Sequence, residues 1–172
     1  MLARIKELAD RKTTITQEDL PFIISDVLET QSDPVFELQS CVVVSSIGLK
    51  PVATVKLAHR GSGDSPEQFE ASAQGDGGYD AFMNALREIV GRLNLVLPTL
   101  TDYHVAIPAG GDTDALVQCT ITWAHPTHAE RMFSTKGVNS DQVLAAAEAT
   151  EKMLNLLPAM GSGIRPLAER QT

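Results

Sequence analysis

The stretch Gly75–Leu86, GDGGYDAFMNAL, joins a glycine-rich turn directly to an amphipathic run. From the turn onward, apolar residues recur at three- and four-residue spacing, which predicts a helix over residues 79–93. Before the turn, residues 69–73 alternate between apolar and polar and predict a strand. The stretch is therefore the point at which a strand gives way to a helix, and its position organises the rest of the chain.

The same succession of elements occurs twice. The first copy, repeat one over residues 35–94, has three predicted strands ahead of the helix, at residues 35–46, 52–59 and 69–73. The second copy, repeat two over residues 101–157, has predicted strands at 102–108, 115–123 and 131–136, then the loop GVNS and a helix at 141–157. One such unit cannot bury both its sheet face and its helix stripe, whereas two units packed about a pseudo-twofold axis can. The prediction is an α+β fold of two βββα units in two layers.

Two flanking segments differ in character from the repeats. Residues 1–33 contain two short amphipathic runs and predict a small helical linker subdomain ahead of the main domain, residues 34–157. Residues 158–172 lack periodicity and predict a flexible tail.

Composition narrows the functional classes. The net charge of −8 and the lack of a lysine/arginine cluster argue against nucleic-acid partners. No apolar run has the length of a signal-peptide core or a membrane span, so we expect no membrane partner and a cytoplasmic location. Cys41 and Cys119 sit in apolar, strand-like runs and are expected to be buried free thiols.

The glycine-rich turn is the main candidate for a binding site. Glycines allow close approach of the backbone, and the N–H groups of a helix start favour an anion. Asp76 and Asp80 add negative charge beside them, a combination that suits a zwitterion: N–H groups for its carboxylate and a carboxylate for its ammonium group. A phosphate fits less well, because there is no Walker lysine and no G-x-G-x-x-G. The alternative is that the glycines only turn the chain and that Asp80 complements the helix.

The loop GVNS precedes the second helix, as the glycine-rich turn precedes the first. Asn139 or Ser140 could simply be the N-cap of that helix. If the two helix starts lie close together, however, a shared site becomes a reasonable hypothesis.

Catalytic and metal-binding patterns are not readable in this sequence. No serine lies in G-x-S-x-G, and the H-P-T-H pair at residues 125–128 is best interpreted as part of a solvated loop. We therefore expect a binding domain without catalytic residues, cofactor or metal. A small enzyme that acts on a phosphorylated or acyl substrate at the glycine loop is a weaker alternative.

Four stretches together resemble the C-terminal regulatory domain of 2-isopropylmalate synthase: GDGGYDAFMNAL, DYHV, GGDTDALVQ and FSTKGVNSDQVLAAA. Citramalate synthase and some homocitrate synthases carry similar domains. The resemblance covers residues 35–157, and KELADRKTTITQEDL looks like the helical linker subdomain of those enzymes.

This resemblance implies a pair of βββα units that forms a homodimer with a second subunit. It implies binding of an end-product amino acid, leucine in 2-isopropylmalate synthases, and feedback inhibition of a TIM-barrel acyltransferase that uses acetyl-CoA. Because no barrel is present here, we expect a fragment of such an enzyme or a free-standing regulatory module. A citramalate or homocitrate synthase would respond instead to isoleucine or lysine. A dimerisation module without an effector is a further alternative.

The resemblance also implies a set of effector-binding residues: Gly75, Asp76, Gly77, Gly78, Tyr79, Asp80, Tyr103 and Asn139. Two positions depart from the family pattern. Gly78 stands where much of the family has proline, and Tyr79 stands where many members carry a smaller aliphatic residue. Both departures bear on which amino acid binds.

Overall fold

The computed structural model describes residues 34–61, 65–107, 115–126 and 128–158. The predicted linker subdomain and the predicted tail beyond Pro158 lie outside the described residues. The described part contains eight elements: β1 (Phe36–Ser46), β2 (Leu49–His59), β3 (Glu67–Gln74), α1 (Gly78–Arg92), β4 (Thr99–Ala106), β5 (Val117–Ala124), β6 (Met132–Asn139) and α2 (Gln142–Leu156).

The eight elements form two βββα units, which confirms the predicted α+β class. Strands β1, β2 and β3 pair antiparallel in that order, and β4, β5 and β6 do the same in a second sheet. Helix α1 packs on β2 and β3, and α2 packs on β5 and β6.

The helices bury very different side chains. The buried face of α1 is large and includes Phe82, Leu86 and Ile89. The buried face of α2 is mostly alanine over residues 145–149. Because small side chains allow a close approach between helix and sheet, α2 can lie nearer to its sheet than α1 does.

Gly137 makes the close approach of α2 possible. A Cβ placed on this residue would overlap the carbonyl oxygen of Ala145 and lie 2.6 Å from the backbone nitrogen of Ala149. The prediction of a loop at GVNS is wrong for its first three residues, because residues 137–139 belong to β6. Gly137 and Asn139 pair with β5 at Cys119 and Val117.

A second boundary also differs from prediction. The gap between the first two predicted strands, residues 47–51, shortens to Ile47 and Gly48, where Gly48 has a φ of 86°. Pro51 lies inside β2, although it has no N–H to donate to the ladder. The pairing of β1 with β2 is irregular beside it, between Val44 and Ser46.

Helix α2 also closes the outer edge of β1 in the other repeat. The Asn155 side chain accepts from the N–H of Phe36 and donates to the carbonyl of the same residue, both at 2.8 Å. One turn earlier, the Glu151 carboxylate accepts from the N–H of Leu38 at 2.8 Å. Strand β4, the corresponding edge strand of repeat two, is exposed over its first six residues.

Candidate functional site

The start of α1 has no side-chain cap. Its N-cap is Gly77, in extended conformation with φ −142° and ψ 168°, and among the described residues no side-chain hydrogen bond caps it. The first intrahelical bond closes from the Ala81 N–H to the Gly77 carbonyl at 2.9 Å. The N–H groups of residues 78–80 therefore have no acceptor within the helix. Such a helix start attracts an anion.

Gly75 is required by the close packing of the turn. A Cβ at this position would lie 2.7 Å from both the Ala81 Cα and the Asp80 carbonyl carbon. A side chain would push the turn away from the helix, since these neighbours are backbone atoms that cannot swing aside.

Gly78 lies at the junction of the two repeats. A Cβ on it would be 3.1 Å from Cγ1 of Val43, on β1, and 3.4 Å from Cγ2 of Val143, in the first turn of α2. The starts of α1 and α2 are thus side by side, with the middle of β1 against them. The φ of Gly78 is not positive, so the backbone conformation does not require glycine here. The small size of glycine instead lets Val43 and Val143 pack closely against the helix start.

The start of α2 carries the cap that α1 lacks. One carboxylate oxygen of Asp141 accepts from the N–H groups of Val143 at 2.7 Å and Leu144 at 3.0 Å. This carboxylate also acts electrostatically on Cys41 on β1 and on Tyr103 on β4. Burial and then Asp141 raise the pKa of Cys41 to about 11. Burial is the main cause of the raised pKa of Tyr103, to which Asp141 also contributes.

Two tyrosines form an aromatic surface beside the helix starts. The rings of Tyr79 and Tyr103 are tilted, with centroids 5.3 Å apart. The Tyr79 hydroxyl bonds Thr150 of α2 at 2.8 Å, and burial raises its pKa. Tyr103 is 37% exposed, so one side of this surface is open to solvent. Burial raises the pKa of the Cys119 thiol beside this surface, and the Tyr103 hydroxyl acts in the opposite sense.

Two predicted site residues have local partners at the edge of this region. Asp76 pairs with the Lys50 ammonium group at 2.9 Å, and 87% of its side chain is exposed. Lys50 lowers the pKa of Asp76 by donating this hydrogen bond to its carboxylate and by its positive charge. Asp80 accepts from the Asp76 N–H at 3.0 Å and from Asn84 at 3.4 Å, so its carboxylate stabilises the turn.

Asn139 lies behind the start of α2. It is 3% exposed, and its amide group donates to Glu148 at 2.8 Å. Its oxygen accepts from the N–H of Asp141 at 3.1 Å, which orders the capping residue.

The structure thus brings together Gly77, Gly78, Tyr79 and Tyr103 from the predicted set. Sequence reasoning missed Asp141, whose signal was available because aspartate is a preferred N-cap at the start of the predicted helix. It also missed Val43, for which no local signal exists, since that residue comes from an edge strand 35 positions before Gly78.

The described residues include no group of three or more His, Cys, Asp or Glu side chains that could hold a metal ion. Within the same residues, no helix is long and apolar enough to cross a membrane.

The architecture is that of a duplicated βββα domain, with its two helix starts meeting at the junction of the repeats. The chain belongs to the family described as the LeuA allosteric (dimerisation) domain, whose family model matches residues 14–157.

The relatives of this chain include two kinds of synthase. A protein of Methanosphaerula palustris, provisionally named an (R)-citramalate synthase, is 34% identical over 91% of this chain and 29% of its own length. The 2-isopropylmalate synthase of Prochlorococcus marinus strain MIT 9313 is 37% identical over 91% of this chain and 27% of its own length. The chain therefore spans less than a third of these relatives.

Proposed function

We propose that this domain binds an end-product amino acid and regulates a 2-isopropylmalate synthase or citramalate synthase by feedback inhibition. Its catalytic TIM barrel would be the regulated partner. Leucine is the effector expected for the first enzyme and isoleucine for the second. The observation that carries the proposal is the uncapped start of α1 beside the Asp141 carboxylate at the start of α2.

A zwitterion complements the two helix starts at once, because one is an uncapped set of N–H groups and the other carries a carboxylate. Its carboxylate would accept from the N–H groups of residues 78–80, where the helix dipole favours negative charge. Its ammonium group would meet Asp141, which lies at the junction of the two repeats and caps α2 through one carboxylate oxygen. Asp76 instead pairs with Lys50, and Asp80 accepts from the Asp76 N–H within the turn. Its side chain would lie against the faces of Tyr79 and Tyr103, which supply apolar area.

Regulation then follows from differential binding. An amino acid can inhibit only if it binds one arrangement of the domain more tightly than another. Couplings of about 1–3 kcal/mol are typical and correspond to roughly 5- to 150-fold changes in affinity. A site formed by elements of both repeats is suited to this, since a ligand that contacts both repeats is sensitive to their relative position.

Titration calorimetry tests the binding. We expect heat from L-leucine or L-isoleucine, and little from L-valine or L-lysine, whose side chains are smaller or charged. D-Leucine is the stereochemical control, because inversion exchanges the places of two substituents at Cα. No binding by any of these amino acids to the folded protein would contradict the proposal.

Two variants locate the site. Gly77→Asp gives α1 a side-chain cap, and a Cβ at this position meets nothing within 4 Å, so space is available. The new carboxylate would compete for the same N–H groups, and we expect affinity to fall by about tenfold or more. Gly91→Asp adds the same side chain at the opposite end of α1, where a Cβ also meets nothing, and should leave affinity nearly unchanged.

Asp141→Asn tests the ammonium contact. Asparagine can still cap α2, so the fold should persist while affinity falls by about tenfold, the size of one charge-assisted hydrogen bond. Asp76→Asn is the matched control on the exposed side of the turn. If the Asp76 variant loses affinity and the Asp141 variant does not, the ammonium group binds at the glycine-rich turn instead.

Dimerisation is the second part of the proposal. The family description includes it, and β4 presents exposed apolar side chains on an edge strand that α1 does not cover. Leu100 in β4 is 38% exposed, and Ile107, one residue beyond the end of that strand, is 61% exposed. We expect light scattering to give a dimer mass, and Ile107→Asp to shift it toward the monomer; a monomer in the wild type would contradict this part.

A further inference from the structure

The Tyr79 hydroxyl connects the glycine-rich turn of repeat one to α2 of repeat two. Its oxygen is 2.8 Å from Oγ1 of Thr150, which itself donates to the carbonyl of Ala146 at 2.8 Å. A threonine hydroxyl has one proton, so Tyr79 must be the donor in the contact between the two side chains. Thr150 is 0% exposed, and water cannot readily replace it as the acceptor.

The hydrogen bond between Tyr79 and Thr150 has no counterpart at the corresponding positions of the two repeats. Helices α1 and α2 both have 15 residues, so Tyr79 corresponds to Val143 and Thr150 corresponds to Leu86. The corresponding pair is apolar and cannot form a hydrogen bond. Helix α2 thus holds the turn at the start of α1 through a hydrogen bond, whereas α1 makes no equivalent bond to the start of α2.

Beyond Thr150, the same helix holds the beginning of β1. Glu151 accepts from Leu38, and Asn155 bonds both backbone groups of Phe36, all at 2.8 Å. These contacts lie within two turns of Thr150 on a regular helix, which moves as a unit because its backbone is hydrogen-bonded throughout. A displacement of Tyr79 would therefore be transmitted through α2 to the first residues of β1.

We propose that Thr150 is a positioning residue for the effector site, and that α2 carries the state of the glycine-rich turn to the edge of β1 at Phe36 and Leu38. Thr150 acts through Tyr79 and does not touch the effector. The regulatory role rests on the proposed function, whereas the mechanical link between Tyr79 and β1 does not.

The link can be measured without any ligand. Amide hydrogen exchange at Phe36 and Leu38 reports the opening of the contacts between α2 and β1. Thr150→Val removes the acceptor and leaves the Tyr79 hydroxyl buried without a partner, so we expect exchange at both amides to speed up by about three- to tenfold. Tyr79→Phe should give a smaller increase, because Thr150 remains bonded to Ala146.

Two further variants separate this link from a general loss of stability. Thr150→Ser keeps the hydroxyl and should restore slow exchange at Phe36 and Leu38. Thr122→Val deletes an exposed hydroxyl that bonds Ser134 at 3.0 Å in the other sheet, and should leave both amides unchanged. If Thr150→Val speeds exchange at Phe36 and Leu38 no more than Thr122→Val does, the link is absent and the proposal is overturned.

The effector arm uses L-leucine and L-isoleucine as probes. In the wild type, the amino acid that binds should change exchange at Phe36 and Leu38. Thr150→Val should bind it more weakly, because Tyr79 is no longer held, and this distant change should disappear even at a saturating concentration of the amino acid. A distant change that survives in Thr150→Val would contradict the role of α2. If neither amino acid binds the wild type, the proposed effector function fails, and the ligand-free measurement still decides the link.

Discussion

The two helix starts meet at one place but satisfy their backbone groups differently. At α2, the Asp141 carboxylate accepts from two N–H groups and supplies the negative charge that a helix start attracts. At α1, Gly77 supplies no side chain at all. Under the proposed function, the carboxylate of the effector would take at α1 the position that the side chain of Asp141 takes at α2.

The same contrast recurs at the buried ring nitrogens of the two sheets. In repeat two, the Trp123 indole N–H donates to the Thr135 hydroxyl at 2.9 Å, and both residues are buried. In repeat one, Nδ1 of His59 is buried without a hydrogen-bond partner among the described residues, and the ring stacks on Phe36 at 4.8 Å. Repeat two is the better satisfied half, and substitutions that remove its partners should therefore cost more.

The largest effect is expected where α2 approaches its sheet. Gly137→Ala would place a methyl group on the backbone of Ala145 and Ala149, and the free energy of unfolding should fall by about 3 kcal/mol. Urea denaturation measures the change. Gly91→Ala is the control, because that glycine is in an open part of α1 and alanine should stabilise the helix by about 0.5–1 kcal/mol. Equal effects would mean that the helix–sheet distance is not set by Gly137.

Thr135→Val tests how much the hydrogen bond from the Trp123 indole contributes to the free energy of unfolding. Valine has nearly the shape of threonine but no acceptor, so the Trp123 N–H would be left buried and unpaired. We expect a loss of about 2 kcal/mol. Thr122→Val on the exposed face of the same sheet should cost less than about 0.5 kcal/mol. Similar losses for the two variants would show that the buried bond contributes little.

Asp141→Ala removes the cap and makes the start of α2 resemble that of α1. The expected loss in thermal or urea unfolding is about 1 kcal/mol. Asp141→Asn keeps an acceptor oxygen and should lose less than half as much. If the two variants are equally unstable, the charge of Asp141 and not its hydrogen bonds stabilises the helix start.

Much of the fold was predictable because its signals are local. Alternation and three- to four-residue spacing place both βββα units, as the structure confirms. The end of β6 was not predicted, because Gly137 and Asn139 are unfavourable in a strand when judged alone. The reason for Gly137 lies in the alanine face of α2, which contacts it only after the helix has folded back on the sheet.

The candidate site was predictable only on one side. The glycines and Tyr79 lie within a few residues of one another, and together they predict a helix start. Val43 and Thr150 reach that start from 35 residues before Gly78 and 71 residues after Tyr79, respectively, and nothing in their own neighbourhoods marks them. A site shared between the repeats depends on how the repeats pack against each other. The residue pattern of one segment carries no information about that packing.

His59 gives the smallest expected effect, and one that depends on pH. Burial lowers its pKa below the ordinary value of 6.5, while Glu67 across the strand pair acts in the opposite sense. The folded protein therefore binds a proton at His59 less readily than the unfolded chain does. This contribution to stability is present above pH 6.5 and is lost progressively as the pH falls toward the lowered pKa. Urea denaturation between pH 8 and pH 5 should show the loss.

Two substitutions assign this pH dependence to His59. His59→Phe keeps a ring to stack on Phe36 and cannot bind a proton, so its stability should fall less than that of the wild type over the same pH range. His59→Gln lacks both the ring and the titration, and should be less stable at every pH with the same weak dependence as the phenylalanine variant. If all three proteins lose equal stability on acidification, carboxylates elsewhere cause the loss, and the unpartnered nitrogen of repeat one is not the weak point that the comparison with Trp123 indicates.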